Sequence, residues 1–250
     1  MSTSISTHPV AGWVRLCTQL APAASILVFL APVPTLRQIT RDKSVGSLPL
    51  MPYSSMFAST FLWMIYGFLK HQPSIWMANV VGWLLSMYYI HIFIQFSPKA
   101  APTLPGSIKQ HFQACLAVAG TTLVLAALPI FLPATVLNLL GGGKPFNPAT
   151  PIGMAGVIFC LAMFASPLAA LQTVLQTKSA RSIPLPFTIA STANCVLWTI
   201  SGFWDMQDPN VYLTNGTALL FGLVQIALKL HYGNGPEKMH IESVTGKLPM

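Results

Sequence analysis

FLAPVPTLRQITRDKSVGSLPLMPYSSMFASTFLWMIYGF, residues 29–68, returns 135 positions later as FASPLAALQTVLQTKSARSIPLPFTIASTANCVLWTISGF, residues 164–203. Aligned without a gap, the two stretches share 14 identities over 40 positions, among them Pro32 with Pro167, Lys43 with Lys178, Pro49 with Pro184, Trp63 with Trp198 and Gly67 with Gly202. Unrelated apolar segments agree at roughly one position in ten, so the chain carries an internal duplication. A shift of one residue carries the match on to Asn79 and Asn215, and then to Tyr89 and Gln225. Each copy holds three apolar segments, and the region of residues 112–140 between them has no counterpart. The pattern predicts three helices, one linker helix, and three more.

Of the 250 residues, 53% are hydrophobic and 7% are charged. No soluble surface can be built from that mixture. Seven stretches, residues 18–36, 53–69, 74–96, 116–132, 152–175, 187–204 and 211–230, approach the roughly 20 helical residues that cross a hydrocarbon core of about 30 Å. Hydrocarbon offers backbone groups no partner, so the spans must be helices. The expected fold is an all-α membrane protein of seven transmembrane helices. Residues 1–17 are read as an extracellular tail and 18–96 as the first repeat. Residues 97–151 supply a cytosolic loop, the linker helix and an outer loop, 152–230 the second repeat, and 231–250 a cytosolic tail. A single extra span between two odd-numbered units lets both share one orientation.

The net charge of +8 does not point to nucleic acid, because the basic residues stand singly in the connections with no interleaved aromatics. They fit a topology signal instead. With the N-terminus outside, inner connections hold Arg37, Arg41, Lys43, Lys99, Lys109, Lys178, Arg181, Lys229, Lys238 and Lys247, and outer ones only Arg15, Lys70 and Lys144. The C-terminus then lies in the cytosol. Cys17, Cys115, Cys160 and Cys195 are far apart and lack metal-ligand spacing, so they read as small core residues. Neither an HExxH nor a carboxylate pair lies in a span, and GGGK at 141–144 lacks the phosphate-loop spacing, which argues against an enzyme, a metal and a cofactor.

The polar and proline residues kept in both copies mark the candidate site. Pro32 and Pro167 interrupt lipid-length helices and predict a kink in the first helix of each repeat. Prolines at 49 and 52, and at 184 and 186, open the second helix of each repeat, where they serve as start signals or hinges. Asn79 and Asn215 put an amide in each third helix. An unpartnered amide in hydrocarbon costs about a few kcal/mol, so each needs helix partners or a shared ligand. Ser59 with Trp63, and Asn194 with Trp198, are i, i+4 pairs and so lie on one helix face. A polar group one turn from an indole suits a sugar ring, whose C–H face packs on the indole while its hydroxyls bond amides.

With these residues in place the chain resembles the SWEET sugar transporters, over about residues 20–96 and 152–232. The matching features are Pro32 with Thr35, the KS of Lys43 and Ser44, the PY of Pro52 and Tyr53, and LWxxYG at 62–67. In the second copy they are SPL at 166–168, TKS at 177–179, Trp198, and Asn215 with Gly222 and Gln225. The resemblance implies facilitative, bidirectional passage of a mono- or disaccharide by alternating access. It further implies that Asn79 and Asn215 bond the sugar, that Trp63 and Trp198 bracket it, and that Val28, Ser59, Met163 and Asn194 shape the pocket. Pro32, Pro52, Pro167 and Pro184 would be hinges, although the internal alignment pairs Pro184 with Pro49.

Small residues at the four shaping positions go with disaccharides in the resembled family, so Met163 and Asn194 favour a hexose over sucrose. The chain departs from the family at Thr214, Ala218, Ser86 and Ser201. All five acidic residues are placed in connections, at helix ends or in the tail, which predicts uniport without proton coupling. The expected partners are a sugar, the lipid bilayer of the plasma membrane and, where copies associate, a homo-oligomer. A non-transporting seven-helix receptor or scaffold is the competing reading, but it has no need of paired kinks and paired asparagines.

Overall fold

A computed structural model of the chain describes residues 11–98, 106–163 and 165–234, with backbone alone at 162, 163, 165–167, 169 and 170. Among the described residues it is helical, without strands. α1 (Gly12–Phe29) and α2 (Val33–Asp42) form one bent span, followed by α3 (Met51–Leu69) and α4 (Pro73–Gln95). α5 (Ile108–Phe131) and the short α6 (Ala134–Leu140) join the repeats. The second repeat comprises α7 (Ala149–Met163), α8 (Ala165–Thr177), α9 (Leu185–Ile200) and α10 (Pro209–Tyr232), with a π turn at Ser201–Asp205 between the last two. The spans are α1 with α2, α3, α4, α5, α7 with α8, α9 with its π turn, and α10. Only 11% to 28% of the residues in the four most apolar long windows are buried, so the bundle turns its apolar side outward.

The bend expected at Pro32 falls between α1 and α2. Pro32 has no N–H to give, and the amide of Val33 reaches Leu30 rather than Phe29. The Phe29 carbonyl so released accepts the Tyr89 hydroxyl at 3.0 Å, because an unpaired carbonyl is costly at membrane depth. In the second repeat Pro167 lies in α8. Pro52 stands in the first turn of α3, and Pro184 is itself the cap of α9, positions where a missing N–H costs nothing. The duplication also reaches the backbone. Among the described residues four non-glycine residues have positive φ, Lys43 (50°) with Lys178 (52°) and His71 (53°) with Gln207 (49°), and each pair is equivalent in the two copies.

The linker departs from expectation. Its helix begins at Ile108, earlier than the predicted start, because Ser107 and Gln110 cap it reciprocally. It stops at Phe131 ahead of Pro133, and a separate helix, α6, fills part of the region read as one continuous helix to residue 140. The last helix also runs a little further than the span read from sequence. Of the residues read as cytosolic tail, 231 and 232 complete α10, and Gly233 and Asn234 tie back to the α8–α9 turn through Ala180 N to Gly233 O (3.0 Å) and Ser179 Oγ to Asn234 O (2.7 Å). Most of the two expected tails, 1–10 and 235–250, lies outside the described residues.

Each repeat's first helix packs on the other repeat's second. α1 lies against α9, and by the same relation α7 lies against α3, while α5 leans on α3 and α7. Thr18 near the start of α1 and Gly153 near the start of α7 both meet residues at the end of the bundle where α3 finishes and α10 begins. The two repeats are therefore parallel. One core cluster draws on both: Ala21, Leu62, Tyr66, Ile75, Ala149, Ile152, Trp198 and Val211. The clusters nearer the opposite end stay within single repeats, Leu36, Ile39, Leu50, Tyr53 and Tyr89 in the first, and Val174, Ala180 and Ile183 in the second.

Candidate substrate site

A cavity of about 160 Å³ lies between the repeats. The first repeat lines it with Ser25, Phe29, Ser59, Thr60, Trp63, Ile75 and Asn79, the second with Cys160, Asn194, Trp198, Val211, Thr214 and Asn215. Five pairs of these are equivalent in the duplication: Ser25 with Cys160, Ser59 with Asn194, Trp63 with Trp198, Ile75 with Val211, and Asn79 with Asn215. Six of the eight residues expected to bind substrate therefore share one cavity. Val28 does not line it. α1 turns Ser25 and Phe29 inward, one turn apart, and Val28 falls off that face. The side chain of Met163 lies outside the described residues.

Ser25 joins the repeats. Its hydroxyl accepts from Trp198 Nε1 at 2.7 Å and donates to Asn194 Oδ1 at 2.9 Å. The equivalent Cys160 lines the same cavity as Trp63 and Ser59. The first helix of the first repeat thus clasps the indole and the small polar group of the opposite repeat. The clasp holds the polar edge of the Trp198 indole. Trp63 also packs over Gly156, where an added Cβ would stand 3.3 Å from the ring, and meets Tyr66 edge to face at 5.4 Å. Trp198 is buried.

Asn79 Nδ2 donates to Ile75 O at 2.8 Å, and Asn215 Nδ2 donates to Val211 O at 2.9 Å. The bond to the previous turn fixes each amide plane. An amide carries two N–H donors and a carbonyl acceptor, so groups remain that can bond a hydroxyl while one donor is tied to the helix. The i−4 carbonyl also explains how the amides are tolerated without a bonded partner across the helices.

At the end where α1 and α7 begin, a polar latch closes over the cavity. Tyr66 donates to both carboxylate oxygens of Asp208 at 2.9 and 2.7 Å, Asn210 Nδ2 donates to the Tyr66 oxygen at 3.1 Å, and Lys70 Nζ lies 3.5 Å from Asp208. Asp208 also caps α10 by accepting from the Asn210 amide. Thr18 donates to Asp205 at 2.7 Å beside it. Asp208 stands at a helix end, as read from sequence, and is buried there. It does not line the cavity.

A family model described as "Sugar efflux transporter for intercellular exchange" matches residues 16–101 and 150–237, the two repeats. The chain belongs to the SWEET family. Bidirectional sugar transporter SWEET12 of Oryza sativa subsp. japonica is 31% identical over 214 residues, covering 86% of this chain and 66% of that protein. Bidirectional sugar transporter SWEET7b of the same subspecies is 30% identical over 216 residues, covering 84% and 75%. A 3.7 Å structure of a eukaryotic SWEET transporter superposes with a TM-score of 0.71 at 19% identity, covering 88% of this chain and 98% of that one, and so has the same fold. SWEET proteins are transporters rather than enzymes.

Within this SWEET fold, sequence reading missed Ser25, Cys160 and the latch. Ser25 and Cys160 lie 135 positions apart, two turns before Pro32 and Pro167, and are small polar residues in apolar helices. That signal was available. The latch was not, because Tyr66 aligns with Ser201 and so breaks the symmetry that exposed the other positions.

Proposed function

We propose that the chain is a bidirectional sugar uniporter that works by alternating access, with a hexose such as glucose or fructose as its substrate. One observation carries the reading. A cavity built from equivalent indoles, amides and small polar groups of two parallel repeats is sealed by a shared core at one end, while the other end has cores confined to single repeats. Such a site can be exposed alternately by rocking one repeat against the other. Asn79 and Asn215 would bond sugar hydroxyls, and Trp63 and Trp198 would bracket the ring. Ser59 and Asn194 would shape the pocket with Ser25 and Cys160, and with Met163 further along the second repeat's first helix. Pro32, Pro52, Pro167 and Pro184 are assigned as the hinges.

The hexose assignment rests on size. At about 10–15 Å³ per water-sized group, the cavity has room for roughly a dozen groups. That is about one hexose and roughly half a disaccharide. The N-terminus is assigned to the outside of the plasma membrane, which puts the latch outside and the basic connections in the cytosol. The domain limits proposed are 18–96 and 152–230 for the repeats, with 97–151 between them. The test is uptake of labelled glucose and fructose in cells that lack their own carriers, with excess unlabelled sucrose as competitor. Hexose uptake that sucrose barely inhibits is expected. Strong inhibition by sucrose would refute the hexose assignment, and no uptake of any sugar would refute the transporter reading. Accumulation above equilibrium driven by a pH gradient would refute uniport.

A further inference from the structure

A second cavity, of about 480 Å³, lies between α2 and α4 on the other side of the first repeat. Val33, Leu36 and Tyr89 form its apolar floor, and Arg37, Thr40, Arg41 and Tyr88 stand around it. Tyr88 is nine residues from Asn79, which at about 100° per residue is half a turn round α4. It shares that outer face with Met77 and Leu84, and the three are 57%, 54% and 52% exposed. The cleft therefore opens to lipid, not to the transport cavity. The bent span Gly12–Asp42 has 31 residues. At about 1.5 Å per residue it is up to roughly 46 Å long, against about 30 Å of hydrocarbon. Its last turns, with Arg37 and Arg41, reach the headgroup layer.

We propose that this cleft is a binding site for an anionic phospholipid of the leaflet on the basic side of the bundle. The phosphate would lie between the two guanidinium groups and the Thr40 hydroxyl, with an acyl chain along Val33, Leu36 and the Tyr88 ring. Charge argues for that occupant. Among the described residues Arg37 has no ion pair, and Arg41 pairs only with its neighbour Asp42, at an exposed site where such a pair is weak. Guanidinium groups one helical turn apart suit a phosphate, and basic clefts between membrane helices at this depth suit lipid headgroups. The duplication supplies the control. The equivalent positions in the second repeat are Gln172, Gln176 and Val224, so only the first copy has the charged cleft. The assignment needs only that the chain spans a bilayer and is independent of the sugar reading.

The test is native mass spectrometry of the purified full chain in detergent, with phosphatidylglycerol or phosphatidylcholine added at equal concentration. Arg37→Gln with Arg41→Gln gives the first copy the residues of the second, which that fold already accommodates. At about fivefold per charge, the double variant is expected to retain phosphatidylglycerol roughly thirtyfold more weakly than the wild type. Phosphatidylcholine retention should not change. The charge-matched variant Lys178→Gln with Arg181→Gln should behave like the wild type. Equal losses in both double variants would mean diffuse attraction to a positive surface and would overturn the site, as would no loss in either. Excess inorganic phosphate should not displace the lipid, and displacement would reassign the cleft to a soluble phosphate. A circular dichroism spectrum and gel-filtration profile unchanged from the wild type separate lost binding from lost folding, and Tyr88→Val, which keeps both charges, should by itself weaken retention several-fold.

Discussion

At the scale of single residues, the site is defined by side chains whose orientation is already fixed. Each cavity asparagine bonds the carbonyl one turn back, so Asn79→Ala and Asn215→Ala remove a proposed sugar partner without releasing a contact between helices. Both variants are expected to reach the membrane at normal abundance and to lose sugar flux, since a lost hydrogen bond to a ligand costs about 1 to 3 kcal/mol. Immunoblot and uptake on the same cells check this, and a parallel fall in abundance would assign the amides a structural role. Ser25 makes the opposite case, because it bridges Trp198 and Asn194. Ser25→Ala leaves a buried indole N–H without that partner and should lower flux about tenfold or more, whereas Cys160→Ser should retain flux because a hydroxyl can accept from Trp63 in the same way. The paired asparagines, tryptophans, Ser59 and Asn194 were legible from sequence because the duplication singles them out. Ser25 was legible in the same way, as a small polar residue repeated at Cys160, but that Val28 falls off the cavity face was not, since only the rotation of α1 about its axis decides it.

At the scale of elements, the boundaries were legible wherever proline, glycine or charge interrupts the apolar pattern, and less so in the linker, where the capping box at Ser107 and the short helix after Pro133 act locally. The turns between the second and third helix of each repeat are tight joints. A Cβ on Gly67 would stand 2.8 Å from the Trp76 amide nitrogen, and one on Gly202 would stand 2.9 Å from that of Tyr212. These are backbone atoms and cannot swing away. Gly67→Ala and Gly202→Ala should each destabilise the protein by about 1 to 3 kcal/mol through overpacking. Gly216→Ala is the comparison. Its Cβ would have nothing closer than Thr199 at 3.8 Å, and removing a glycine from a helix interior gains about 0.5 to 1 kcal/mol. Thermal unfolding of the purified variants should therefore move the first two midpoints down and the third level or up. A lowered midpoint for Gly216→Ala alone would contradict the packing described here.

At the scale of the whole molecule, the side-chain hydrogen bonds between the two repeats, among the described residues, lie beside the cavity or toward the end where α1 begins, and the shared core lies there too. The structure is closed at that end, and its latch is asymmetric because Tyr66 has only Ser201 as its counterpart. Tyr66→Phe deletes both hydrogen bonds to the buried Asp208 carboxylate and leaves Lys70 and the Asn210 amide to hold it. An unmet bond of this kind costs about 1 to 3 kcal/mol, so the closed end should open more often, about tenfold by the lower middle of that range. The cavity carries its own reporter. Cys160 lines it, and with Cys17, Cys115 and Cys195 replaced by alanine a membrane-impermeant thiol reagent added from the N-terminal side can reach Cys160 only through the latch. Labelling of Tyr66→Phe should exceed that of the same background with Tyr66 about tenfold, and excess transported sugar should suppress it in both. Equal labelling with and without the tyrosine hydroxyl would mean that the apolar cluster of Ala21, Ile152 and Trp198, rather than the Tyr66–Asp208 pair, keeps this end shut.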